Sequence, residues 1–291
     1  MPKPTPKYNI QFLTNVPGAS SLALRSVCKE GQSYHDAIAE LGAAPTLVYG
    51  WDIVGRENLP AGSIAYHPVF GDIVYGYSWR HASTMELLDN LKAAEANDAI
   101  AAHVIHIDSR GGEAFGLHEA FEYIRSLKKP CYAVVESCAA SAAYYLAAGC
   151  DKIYTTSKFS KVGSIGVMVV YVDDQEYYDA LGIKIKELYS NYSPLKNEDS
   201  RKLEAGETEE FIKKYLDPLA KAFIEDVKSA RKKIEDGSDA LKGELYLAEE
   251  GQNVGLIDGV KIFDDTVLKL AEKTEPAPAP EPPSRDINSL F

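Results

Sequence analysis

The chain has 291 residues, 45% of them hydrophobic, and a formal net charge of −12. This is enough apolar material for a sizeable core, and the acidic balance argues against general nucleic-acid binding, which needs basic clusters on phosphates. The start, Met1-Pro2-Lys3-Pro4-Thr5-Pro6-Lys7, lacks the apolar core of a secretion signal, and the longest apolar run, Cys138 to Cys150 broken by Ser141, falls short of the roughly 20 residues that span a bilayer.

Residues 1 to 60 read as an irregular N-terminal extension with one helix-like stretch, Tyr34 to Leu41. Ser63 to Tyr77 contains strand-like pieces around Phe70-Gly71-Asp72. Ser83 to Ala94 has the pattern of an amphipathic helix capped by Ser83 or Thr84. Ala101 to Ser109 reads as a strand running into Arg110-Gly111-Gly112. The following stretch, Ala114 to Lys128, has helical periodicity with Phe115, Leu117, Phe121, Ile124 and Leu127 apolar. Paired glycines let main-chain N–H groups approach a ligand, as an oxyanion hole requires, and they equally suit a plain tight turn.

Tyr132 to Val135 reads as a buried strand and Ala142 to Ala148 as a helix, with Ser141 at their junction. A serine there lies beside unpaired N–H groups at the positive end of the helix. That is a place for a nucleophile and also for a simple N-cap. Gly163 to Val170 reads as a glycine-punctuated buried strand. Glu207 to Lys233 is a long amphipathic helix with Phe211, Tyr215, Leu216, Leu219, Phe223 and Val227 on one face, suited to core packing or to subunit contact. Beyond Lys273, Glu275 to Pro283 is a stiff, extended linker with no capacity for a core, ending in the short amphipathic tip Ile287 to Phe291. From Ala101 to Leu188 strands and helices alternate, which predicts an α/β fold.

All six histidines precede Ser141, so no histidine base follows it in the chain; His118 upstream remains open. Two Ser-x-x-Lys strings, Ser126 to Lys129 and Ser193 to Lys196, lack the rest of the penicillin-binding set. The four cysteines form no Cys-x-x-Cys pair, and there is no His-Glu-x-x-His and no Walker-type loop, so no metal or other cofactor is indicated. The cysteines read as reduced core residues of a cytosolic protein, with a Cys138–Cys150 disulfide left open.

A strand ending in Ser109-Arg110-Gly111-Gly112, then Ala139-Ala140-Ser141-Ala142-Ala143-Tyr144-Tyr145, then Asp151 and Ile153, then Gly163-Ser164-Ile165-Gly166-Val167 occur in that order. Together with Gly243-Glu244-Leu245-Tyr246 and Gly255-Leu256-Ile257-Asp258-Gly259, they resemble the signal peptide peptidase A (protease IV) family of serine proteases and, within it, the phage head maturation branch. The resemblance spans roughly residues 60 to 270. It implies a crotonase-like (Clp protease-like) ββα superhelix, with a catalytic domain over residues 61–272 between the extension 1–60 and the tail 273–291.

It further implies a Ser-Lys dyad: Ser141 as nucleophile, Lys196 as base, Ser164 orienting the lysine, and Gly111, Gly112 and Ala142 forming the oxyanion hole. Lys202, then Lys186, are the alternatives in other registers. The chain departs from the family in Ala142-Ala143 after the serine, in Arg110 before the glycine pair, and in the spacing from Ser190 to Lys196. The implied activity is that of a serine endopeptidase without cofactor, assembled as a homo-oligomer. With no anchor, the phage branch is expected, acting on scaffold and capsid proteins in the host cytoplasm or immature head. A bacterial cytoplasmic peptidase, an acyl-CoA enzyme on the same fold and a non-catalytic assembly protein are the other readings.

Overall fold

Runs of Ile, Val and Ala make the centre of the molecule a parallel sheet. The computed structural model describes residues 47–53, 59 and 61–272. The stretch Tyr34 to Leu41, Cys28, most of the N-terminal extension and the proline-rich tail lie outside the described residues. The described chain begins with β1 (Leu47–Tyr49) and a helical turn α1 (Gly50–Ile53). The long strand β2 (Ser63–Val74), the short β3 (Ala82–Ser83) and helix α2 (Thr84–Glu95) follow. Two strand–helix units come next: β4 (Ile100–Gly112) with α3 (Leu117–Ser126), and β5 (Cys131–Ala140) with α4 (Ala142–Ala148).

Strands β6 (Lys152–Thr155) and β7 (Lys161–Gly163) precede α5 (Gln175–Ala180) and α6 (Glu198–Glu204). A continuous helical stretch combines α7 (Thr208–Phe211), a π-turn (Ile212–Leu216) and α8 (Asp217–Ala230). The described chain closes with β8 (Leu245–Leu247), α9 (Ala248–Asn253), β9 (Gly259–Val260) and α10 (Phe263–Glu272).

The sheet order is β1-β2-β4-β5-β6-β9, with β3 beside β2 and β7 beside β5; every pairing is parallel except β7 with β8. This is the α/β class that the alternating pattern predicts, and Leu47 to Tyr49 extend it into the stretch expected to be irregular. Side chains alternate along the strands with period two. Ala102, Val104, Tyr132 and Val134 face Val267 and Leu270 of α10, whereas Ile105, Ile107, Ala133 and Val135 face α3 and α4. Both faces are covered, as a parallel sheet requires.

β5 changes neighbour along its length. Its first half, Tyr132 to Val135, pairs with β6, and its last residues, Cys138 to Ala140, pair with β7. The strand therefore delivers Ser141 into the gap between two diverging neighbours. α2 begins where expected: Ser83 Oγ accepts the N–H of Glu86 at 3.1 Å. Its far end is closed by Lys129, whose Nζ donates to the carbonyls of Ala94, Glu95 and Asn97 at 2.8–2.9 Å. The string from Ser126 to Lys129 is thus a helix cap.

Four expectations are corrected. α3 starts only at Leu117, after Gly116 at φ 75°, and leaves Phe115 exposed. The glycine pair at 111–112 is the end of β4 and not a turn. The expected buried strand from Gly163 to Val170 stops at Gly163, and Met168 to Val172 are exposed without a ladder partner. Cys150 Sγ lies 3.6 Å from Cys131 Sγ, so the half-buried Cys138 is not its neighbour. From Gly166 to Ala222 no residue is buried. Leu188 is 94% and Tyr192 97% exposed, which sets this arm apart from the covered sheet. The long helical stretch belongs to the core only through its later turns, where Phe223 stacks on Tyr145 at 4.4 Å and Val227 is buried.

Candidate active site

Ser141 occupies the sharp corner between β5 and α4, with φ 52° and ψ −123°, and its side chain makes no cap hydrogen bond. This is the mirror image of an ordinary turn conformation, one that L-residues adopt at a cost of about 1–3 kcal/mol unless the surroundings enforce it. The enforcement is visible. Ser141 donates its N–H to Gly163 O at 2.9 Å, and its carbonyl accepts the N–H of Tyr145 at 2.9 Å. α4 is buried throughout, with Tyr144 OH donating to Leu256 O at 2.8 Å and Tyr145 OH donating to Asp226. The helix cannot slide, so the corner holds.

Gly111 backs this corner. At φ 109°, a Cβ on it would meet Ala140 O at 2.8 Å and Ser141 Cβ at 2.9 Å, so both conformation and space demand glycine. Its N–H donates to Ser109 Oγ at 3.0 Å and is therefore engaged. A Cβ on Gly112 would fall 1.9 Å from Ile73 O, so this second glycine lets β4 press against β2. Ala142 is the first residue of α4, where the N–H has no intrahelical partner.

On the other side, the register pairs Ala140 with Gly163, which places Ser141 and Ser164 at equivalent ends of adjacent strands. Ser164 also has positive φ, 55°, and donates its N–H to Glu244 O at 2.7 Å. Gly163 and Glu244 thus support the two serines through backbone carbonyls. Sequence reading had marked their segments without finding this role, because a carbonyl partner leaves no side-chain signature.

Ser141, Ser164 and Gly112 open onto one cavity of about 630 Å³, bounded by Arg110, Ile165, Val167, Ile224 and Lys242 among others. A second cavity, about 500 Å³, lies between β2 and α2 with Leu146 as its contribution from α4. It contains neither serine. The structure therefore brings five of the sequence-predicted residues together: Ser141, Gly111, Gly112, Ala142 and Ser164.

Lys196 stands apart. It is exposed, lies outside the Ser141 cavity, and follows a turn in which its N–H donates to Ser193 O at 3.2 Å. Lys202 is tied to Glu210 at 2.7 Å and Glu198 at 3.4 Å, and the hydrogen bond to Glu210 holds its ammonium above the ordinary range. Lys186 is exposed. His118 pairs with Asp226 on α8 at 2.9 Å and does not line the Ser141 cavity. Burial pushes the Cys138 thiol up, as does Asp108, against Arg110 and Lys161. Among the described residues no group of His, Cys, Asp and Glu is arranged to hold a metal, and no helix is long and apolar enough to cross a membrane.

Known proteins are similar to this chain to different extents. The chain is 26% identical over 261 residues to the head-tail preconnector protein GP5 of Enterobacteria phage P21, covering 87% of this chain and 51% of that protein. It is 25% identical over 186 residues to Protease 4 of Salmonella typhi, covering 62% of this chain and 30% of that one. The chain thus spans about half the phage relative and less of the bacterial one.

Two solved structures are similar at low level. One is a mutant of the 1510-N membrane-bound stomatin-specific protease, with TM-score 0.45 and 17% identity over 73% of this chain and 86% of that one. The other is a ClpP1 mutant from Listeria monocytogenes, with TM-score 0.44 and 11% identity over 69% and 94%. The sequence profile of peptidase family S49 matches residues 124–276, more than half of the chain and the whole stretch that carries Ser141, Gly163 and Ser164. The chain belongs to peptidase family S49.

Proposed function

We propose that this chain is a serine endopeptidase in which Ser141 is the nucleophile and Lys196 the general base. The observation that carries the reading is the enforced positive-φ corner at Ser141, opening on a cavity and carrying a hydroxyl without a cap bond. A plain N-cap would donate nothing to a substrate and would bond its own helix.

In the proposed cycle, neutral Lys196 accepts the Ser141 proton as Oγ bonds to the scissile carbonyl carbon. The N–H groups of Gly112 and Ala142 receive the oxyanion, with Gly111 shaping the wall and joining if it releases Ser109. As the C–N bond breaks, Lys196 returns the proton to the leaving amine; water, deprotonated by the same lysine, then releases the acyl group. Ser164 is the group that orients the amine.

A lysine serves as a base at neutral pH only where burial or a cationic neighbour favours its free amine. The arm that bears Lys196 exposes Val170, Val172, Leu188, Tyr192 and Leu195. Covering these side chains against the body or a second copy of the chain would bring the amine in and desolvate it together, which supports a homo-oligomeric active form. The phage relative's name supports a substrate among head proteins, so scaffold and capsid processing in the host cytoplasm is the proposed role. The similarity to Protease 4 keeps a bacterial peptidase as the second reading.

The test is peptide mapping by mass spectrometry after fluorophosphonate treatment of the assembled protein, beside Lys196→Ala and Lys202→Ala. An adduct on Ser141 that is lost only in Lys196→Ala is expected. No adduct in an intact assembly overturns the peptidase reading in favour of an assembly role, and loss only in Lys202→Ala moves the base.

A further inference from the structure

We propose that Arg110 makes the Ser141 cavity selective for peptides with an acidic side chain on the residue whose carbonyl is attacked; this rests on Ser141 being a peptidase nucleophile. The described residues around that cavity include two charged groups, Arg110 and Lys242, and no carboxylate. Such a lining runs against the composition, since the chain has 43 acidic and 31 basic residues. The two cations also differ. Lys242 Nζ is paired with Asp239 at 2.9 Å, whereas the Arg110 side chain has no ion-pair or hydrogen-bond partner among the described residues.

Its nearest acid in sequence, Asp108, accepts from Ser137 Oγ, and no ion pair joins it to Arg110 among the described residues. Among the described residues, the cavity that holds Ser141 therefore presents one uncommitted guanidinium. Arginine keeps its charge at every working pH, and its planar fork matches a carboxylate with two parallel hydrogen bonds. The apolar walls, Ile165, Val167 and Ile224 among them, offer a carboxylate no side-chain partner, and a cleft with low-dielectric walls focuses the field of its few charges. An acidic peptide approaching a chain of charge −12 meets net repulsion elsewhere, so the local cation both admits and orients it.

Peptidyl diphenyl phosphonates bearing Glu or Gln at the position of attack report this directly, because they react with the serine without a known cleavage site. The expected ratio of labelling rates at Ser141, Glu over Gln, is about 10–100 in the native protein, the value of a charge-assisted hydrogen bond. It should fall towards one in Arg110→Ala, drop below one in Arg110→Glu, and shrink with added salt. A native ratio near one, a ratio unchanged in Arg110→Ala, or no reaction with either peptidyl probe overturns the proposal. A plain fluorophosphonate run in parallel separates the two levels. If it labels Ser141 while the ratio is one, only the selectivity fails; if it does not label, the peptidase reading itself fails.

Discussion

The covered sheet and the arm from Gly166 to Ala222 hold the two halves of the proposed dyad under opposite physical conditions. Around Ser141 every neighbour is locked: Gly163 O holds its N–H, Gly111 leaves no space behind it, and α4 is buried along its whole length. Around Lys196 nothing is buried, and the arm carries solvent-accessible ion pairs such as Lys214–Asp199. Surface pairs of this kind contribute little stability. The proposed nucleophile is thus fixed by folding, whereas the fold leaves the proposed base exposed.

Substitutions can break this contrast from either side. The largest effect is expected on chemistry: Ser141→Ala should lower turnover by a factor on the order of 10³ or more while leaving the melting temperature close to native, measured by peptide cleavage and calorimetry. On the sheet side, Gly112→Ala should cost more than about 4 kcal/mol or prevent folding, because a Cβ there lies 1.9 Å from Ile73 O. Chemical denaturation reads this; a loss under 1 kcal/mol would show that β2 and β4 are not packed as described.

A pH series sharpens the same contrast, since buried titratable groups sit in the sheet and not in the arm. His103 Nε2 lies 3.1 Å from Glu95, and His67 Nε2 lies 3.2 Å from His103 Nδ1. Burial holds His67 well below its ordinary pKa, with His103 adding to it, and burial lowers His103 although Glu95 opposes. As pH falls below the unperturbed value of about 6.5, the unfolded chain takes up protons that the folded chain refuses. Stability should therefore decline from pH 7 to pH 5, with a slope of at most about 1.4 kcal/mol per pH unit for each imidazole. His67→Phe should flatten the slope.

Next in size, Ser83→Ala should cost about 1 kcal/mol by removing the α2 cap. Smallest, Leu188→Asp or Tyr192→Asp should change the stability of the monomer by no more than about 0.5 kcal/mol while weakening self-association in sedimentation. A large stability loss from either would mean that the arm has a core of its own.

Local chemistry was legible where it acts locally. Ser83 at its cap, the apolar run from Ala142 to Ala148 and the serine at its head carry their structural meaning within a few residues. The glycine pair was legible as a close approach, yet what approaches Gly112 is Ile73, some forty positions away, and only the sheet register shows it. The run from Gly163 to Val170 misled beyond Gly163 for a complementary reason. β-branched residues state a fit to a pleated surface, not the presence of a neighbouring strand, and in the described chain no strand lies beside them. Arg110 and Lys242 lie far apart in sequence, so their shared cavity was illegible before folding. Lys196 was placed by motif order alone, with no local pattern to fix its surroundings.

The divided neighbourhood of β5 has a consequence for timing. The elements that hold the Ser141 corner come from widely separated stretches of the chain: Gly111 thirty residues before it, Gly163 shortly after, and Glu244, Leu245 and Leu256 about a hundred residues later. During synthesis the serine leaves the ribosome long before β8 can pair with β7 and before Leu256 can accept from Tyr144. Contacts this distant form late. The corner is therefore assembled only after the later supports have been made, so the nascent chain carries a slack serine from the addition of Ser141 until Leu256 has followed it.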